Sequence, residues 1–137
     1  MSIKEQFRSK LWATRDYKQG EIYLVADEKV IMPDGQREYH KSRPVVILSE
    51  HPLNRTPLYP LILVAPLSTR VDVKQSCDLL LKADVDGVER DCLLKLNLSQ
   101  PFLKVDLSRE PVGCLSQEAI ERMLALMLDL LGIDTSQ

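Results

Sequence analysis

Arg43 and Ser68 stand at the outer ends of two apolar runs in the segment RPVVILSEHPLNRTPLYPLILVAPLST, residues 43–69. Paired as neighbouring strands, those runs would carry a guanidinium and a hydroxyl to one edge of a small sheet. A phosphodiester needs such a pair: a planar fork of donors for its charged oxygens and a short donor to fix their position. Thr69 doubles the hydroxyl, and Asn54-Arg55 lies in the connection, where loops beside a site make substrate contacts. Lys41, Arg37, Arg70 and Lys74 extend the cationic set into a local basic rim. His40, three residues before Arg43, carries an imidazole, the side chain suited to exchanging protons near neutrality. Each has an ordinary role when taken alone, since surface arginines pair with carboxylates and hydroxyls bend strand ends. Together they point to a nucleic acid.

The elements that must position these groups read as short strands. Gly20 precedes EIYLVA, where alternation predicts a first strand, and Pro33-Asp34-Gly35 is strong turn chemistry. Residues 44–48 and 61–67 are continuous apolar runs, as in central strands covered on both faces. Between them, His51 to Pro57 fits only a loop or a single helical turn. Leu79 to Leu81 predicts a short strand, Asp84 to Gly87 a turn, and Cys92 to Leu98 a longer strand whose pattern is interrupted by Lys95 and Asn97. Pro101 breaks it, and Phe102 to Val105 resumes extended structure.

The ends differ in kind from the middle. Ser116 is a good N-cap, Glu118 suits a first turn, and Ile120, Met123, Leu124, Met127, Leu130 and Leu131 recur at helical spacing before Gly132. At the other end Ile3, Phe7 and Leu11, with Trp12 alongside, suggest a short amphipathic helix over residues 2–14. Several strands and one terminal helix predict a mainly β (α+β) fold, a small curled antiparallel barrel with the helix packed on it.

With 137 residues, the chain fits one domain, and its 18 basic and 20 acidic residues give a net charge of −2, so any nucleic-acid site must be a local patch. Three cysteines, Cys77, Cys92 and Cys114, form neither a redox pair nor a zinc spacing with the two histidines, and are expected as reduced, small, buried apolar residues. No run approaches a membrane span and no signal peptide is evident, which predicts a cytoplasmic protein without membrane attachment.

In order along the chain, GEIY (20–23), RPVVILS (43–49), Asn54-Arg55, LVAPLST (63–69), GVERDCLL (87–94) and GCLS (113–116) resemble the MazF/PemK family, toxins of bacterial toxin-antitoxin systems. The resemblance runs from Gly20 onward, implying a family domain over 20–137 behind an N-terminal extension over 1–19. It implies an SH3-like barrel of the PemK/CcdB type, a homodimer, and a metal-independent endoribonuclease without cofactors that cleaves single-stranded RNA, mRNA included, through attack by the ribose 2′-hydroxyl. On this resemblance the catalytic arginine is Arg43 and the catalytic hydroxyl, a threonine in the family, is Ser68. Thr69, Asn54, Arg55, His40, Lys41 and Gln100 become candidate substrate contacts, and a cognate antitoxin the protein partner. MPDGQREYHKS replaces the Gly-rich first loop of many members, so base preference does not carry over. A guanidinium is a poor general base, which leaves the acceptor of the 2′-hydroxyl proton to His40 or to a group still to be found. The competing readings are a non-enzymatic gyrase inhibitor of the CcdB type and a catalytically inactive barrel that binds RNA or protein.

Overall fold

The computed structural model describes residues 15–33 and 40–134. The helix expected over residues 2–14, most of the Pro33-Asp34-Gly35 turn, and Arg37 lie outside the described residues. Within them, strands form at β1 (Glu21–Ala26), β2 (Ser42–Ile47), β3 (Leu61–Ser68), β4 (Asp78–Leu81), β5 (Cys92–Lys95), β6 (Gln100–Leu103) and β7 (Gly113–Cys114), and one α-helix spans Gln117–Leu130. The pairings between these strands are all antiparallel, in the order β4-β5-β3-β2-β1-β7, with β6 also on β3. The result is the curled sheet with a terminal helix that the sequence predicts.

The continuous apolar runs of β2 and β3 make sense because both faces of these strands are covered. Val46, Ala65 and Leu67 face a cluster that includes Leu81, Leu94 and the helix residues Ala119, Ile120 and Met123. Val45, Ile47, Ile62 and Val64 face a second cluster around Tyr17, Tyr23, Phe102 and Leu107. Alternate side chains enter opposite cores, so every position between Val45 and Leu48 is apolar.

One prediction fails in an instructive way. The strand expected over Cys92 to Leu98 ends at Lys95, a 3₁₀ turn occupies Leu96–Leu98, and β6 then begins at Gln100. β5 pairs with the end of β3 (Leu67↔Leu94) and β6 with its start (Val64↔Gln100), and the register between these pairings slips by the three residues of that turn. Pro101 lies inside β6 opposite Leu63; proline is tolerated there because this strand has β3 as its one described neighbour. The extended stretch expected to reach Val105 ends at Leu103, and a second 3₁₀ turn covers Lys104–Asp106.

Ser116 caps the helix as expected, its hydroxyl accepting from the Ala119 N–H at 3.1 Å. Only the first half of the apolar stripe is core: Met123 is fully buried and Met127 partly so, but Leu124, Leu128, Leu130 and Leu131 are exposed. At the N-terminal side the fold starts before Gly20. Tyr17 is fully buried, Arg15 Nη1 donates to the Ser108 carbonyl at 2.7 Å, and Gln19 Nε2 donates to the Leu48 carbonyl at 2.8 Å. Among the described residues no helix is long and apolar enough to cross a membrane.

Candidate functional site

β2 and β3 run antiparallel in the register Val45↔Pro66, Val46↔Ala65, Ile47↔Val64. Extending that register sets Arg43 opposite Ser68, at the open end of the hairpin and on one face of the sheet. Both residues line a groove of about 480 Å³, together with His40, Ser42 and Thr69. Its floor is apolar, with Ile22, Pro44, Leu67 and Cys92, and the loop carrying Gly87, Val88, Glu89 and Arg90 forms the facing wall. Gly87 permits that wall, because its φ is +96° and an added Cβ would collide with the Cys114 carbonyl.

Arg43 is held in place on two sides. Its Nε donates to Asp27 Oδ1 at 2.6 Å and its Nη1 to the Leu67 carbonyl at 3.0 Å, and its side chain is 6% exposed. The two-pronged phosphate grip expected of a free guanidinium therefore requires a change of partners, since Nε and Nη1 between them engage both of its paired-donor edges. Asp27, 1% exposed, sits just past β1, and its Oδ2 also accepts from the His40 N–H at 2.9 Å. Ser68 is half-buried, its Oγ accepting from the Arg70 N–H at 3.2 Å. His40, Lys41 and Thr69 are exposed, and the Lys41 carbonyl accepts from the Asp27 N–H at 3.4 Å. Of the three cysteines expected in the interior only Cys92 is buried, Cys77 being half-buried and Cys114 exposed. Burial, helped by Asp91 and Asp86, pushes the Cys92 thiol up to about 11, so the floor of the groove presents a neutral sulfur rather than a thiolate nucleophile.

Ser68 also borders a second cavity of about 260 Å³, lined by Arg70, Gln75, Lys95 and Asn97 among others. Lys95 faces Asp78 across β4 and β5 and binds its Oδ2 at 2.8 Å; both are buried, and Asp78 Oδ1 has no hydrogen-bond partner. Sequence reasoning did not count Lys95 among the site residues. Its signal was there, since Lys95 and Asn97 break the apolar pattern of their segment at two of the three positions that line this cavity, the other being Leu98.

The remaining candidates do not join this site within one chain. Asn54 and Arg55 lie in the β2–β3 connection, at the closed end of the hairpin, separated from Arg43 by about 20 Å at the usual strand rise. Asn54 is buried and serves the loop itself: Oδ1 accepts from Ser49 Oγ at 2.9 Å and Nδ2 donates to the Ser49 carbonyl at 2.6 Å. Arg55 pairs with Glu50 at 2.8 Å and with Asp16 at 3.9 Å. Gln100 is buried, spending its amide on the backbone of Ile31 and on the Leu98 carbonyl, which ties the segment after β1 to the step between β5 and β6. Among the described residues the basic rim thus reduces to exposed Lys41 and Lys74, with Arg70 held by both oxygens of Asp72 at 3.1 Å. Arg90, on the wall of the larger groove, adds a cation that sequence reasoning passed over. Among the described residues no three His, Cys, Asp or Glu side chains converge as a metal site.

A family model described as PemK-like, MazF-like toxin of type II toxin-antitoxin systems matches residues 18–130. A search of curated proteins finds no match. Among solved structures, the Mycobacterium tuberculosis toxin MazF-mt6 superposes with a TM-score of 0.62 at 19% identity, over 83% of this chain and 98% of that one. MazF from Deinococcus radiodurans gives 0.57 at 12% identity, over 87% and 99%. A MazE-MazF structure from the same organism gives 0.56 at 14%, over 88% and 99%. At such identities the structural likeness is one of fold.

Proposed function

The chain belongs to the PemK-like, MazF-like toxins of type II toxin-antitoxin systems, and from that membership we propose that it is a metal-independent endoribonuclease acting on single-stranded RNA. The observation that carries this reading is that Arg43 and Ser68, opposite one another on the extended β2–β3 register, line one groove. In the reaction, the 2′-oxygen attacks the adjacent phosphorus, its proton passes to a base, and the bond from phosphorus to the 5′-oxygen breaks as that oxygen is protonated. The products are a 2′,3′-cyclic phosphate and a free 5′-hydroxyl. Arg43 offsets the charge of the phosphorane, and Ser68 hydrogen-bonds a non-bridging oxygen. His40, exposed in the same groove, is the proton acceptor that this arrangement offers.

The proposed partners are a cognate antitoxin, in keeping with the MazE-MazF neighbour, and a second copy of the chain, with mRNA in the cytoplasm as substrate. Incubation with mixed-sequence RNA in EDTA, with end-group analysis of the products, tests the chemistry. Cleavage is expected to survive chelation and to fall by about 10²- to 10³-fold in Arg43→Ala, the range for losing a charged donor at a transition state. Equal cleavage by that variant sinks the assignment. The enclosure of Arg43 by Asp27 and Leu67 favours one second reading, a barrel that binds RNA without turnover. Tight binding of ordinary RNA that stays intact would establish that alternative instead.

A further inference from the structure

The contacts of Arg43 give a role to a residue that the sequence did not single out. Asp27 sets a carboxylate against this guanidinium, and both of its oxygens are engaged by residues that line the groove. Oδ1 takes Arg43 Nε at 2.6 Å and Oδ2 takes the His40 N–H at 2.9 Å. One side chain therefore locates the cation and the imidazole-bearing residue relative to each other. The Arg43 Nη1 bond to the Leu67 carbonyl, one residue before Ser68, extends the same chain of contacts to the hydroxyl.

We infer that Asp27 is the positioning residue of the site: it fixes Arg43 between β1 and β3 and withholds part of its charge from a bound phosphate. This inference rests on the ribonuclease reading above. Its physical basis is the difference between ground and transition states. A guanidinium already neutralised by a carboxylate attracts an RNA monoanion only weakly, whereas the phosphorane carries an additional negative charge and draws more from a donor that is held still. Fixing the arginine favours the rate, and sharing its charge limits ground-state affinity. A purely structural ion pair makes a different prediction, in which losing the carboxylate weakens folding and function together.

The test is Asp27→Asn, which keeps the shape and an acceptor for Arg43 Nε but removes the charge. The expected result is a kcat on an RNA oligonucleotide reduced about tenfold or more, with Kd for an analogue carrying 2′-deoxyribose at the scissile position lowered several-fold. Asp27→Glu, which restores the charge one methylene further out, should recover Kd to near the wild-type value and part of kcat. An unchanged kcat in Asp27→Asn, or kcat and affinity falling in parallel in a variant that still melts cooperatively, overturns the inference. Should the variants fail to fold, the wild-type protein decides: the Arg43 Nε–H resonance should stay protected from exchange while the deoxy analogue is titrated in, and loss of that protection on binding overturns it. A wild-type protein that leaves RNA intact defeats the ribonuclease reading as a whole. Cleavage that depends on Arg43 but is indifferent to Asp27 defeats the inference alone.

Discussion

At the scale of single residues, the site contrasts a half-buried hydroxyl, Ser68, with two enclosed cations, Arg43 and Lys95. Ser68 borders both cavities, so removing its hydroxyl should cost activity without costing the fold. Ser68→Ala is expected to lower kcat about 10- to 100-fold with a melting temperature near that of the wild type, and Ser68→Thr, which keeps the hydroxyl and restricts its rotamer, should remain active. Comparable turnover by Ser68→Ala would remove the hydroxyl from the mechanism. Lys95 and Asp78 behave in the opposite way, because each is buried against the other. Lys95→Met strands a buried carboxylate that already has one unpartnered oxygen, and should cost about 3–5 kcal/mol of unfolding free energy. The double variant with Asp78→Leu should recover much of that loss in urea titrations, and no recovery would show that the pair is not the unit of stability.

At the scale of elements, legibility followed periodicity. β1, β2, β3 and the helix were readable because alternation, continuous apolar runs and an N-cap each have a local physical cause. The break between β5 and β6 was not, because the apolar character of Leu96 and Leu98 is the same in a 3₁₀ turn as in a strand. What sets it is the need to step three residues along β3, a tertiary demand absent from any local window. The site shows the same division. Arg43 and Ser68 could be placed at one sheet edge from the sequence, since a hairpin fixes which ends meet. Asn54 and Gln100 could not be recognised as backbone staples, because their partners Ser49, Ile31 and Leu98 are chosen by the folded chain. Asp27 escaped notice because its partner lies sixteen residues away, beyond the first loop.

At the scale of the whole molecule, burial of titratable groups in the cores sets a limit at alkaline pH. Burial raises Tyr17 from 10.0 to about 12 and Cys92 from 9.0 to about 11, and raises Tyr23 further, with Glu21 contributing. In each case the folded chain holds a proton that the unfolded chain releases first, so the stability from the neutral form is complete below pH 9 and is lost as pH climbs towards 12. The slope approaches about 1.4 kcal/mol per pH unit for each group in its own window. Lys104 acts in the other direction. Burial lowers its pKa below 10.5, in a site where it donates to the Leu53 carbonyl at 2.7 Å and lies over the Tyr17 and Tyr59 rings, so its deprotonation relieves some of the loss. With these three core groups, and Cys114 raised in the same direction by burial, against one, thermal melts should show a falling melting temperature above pH 9. A flat profile to pH 11 would mean these groups are not held neutral.

β3 is touched along its length by β2, β5 and β6, partners drawn from well-separated parts of the chain. In kinetic terms it is the strand on which the others must wait. Its nearest partner in sequence, β2, closes the shortest loop, so a β2–β3 hairpin is the least costly nucleus, and β5 and β6 add later at the expense of longer closures. Ala65→Gly, in the middle of that hairpin, should therefore slow refolding in a chevron plot, while Phe102→Leu in β6, where Phe102 is core, should mainly speed unfolding. The reverse pattern would put the nucleus elsewhere. If it holds, Arg43 and Ser68 are brought together in the first tertiary structure the chain acquires.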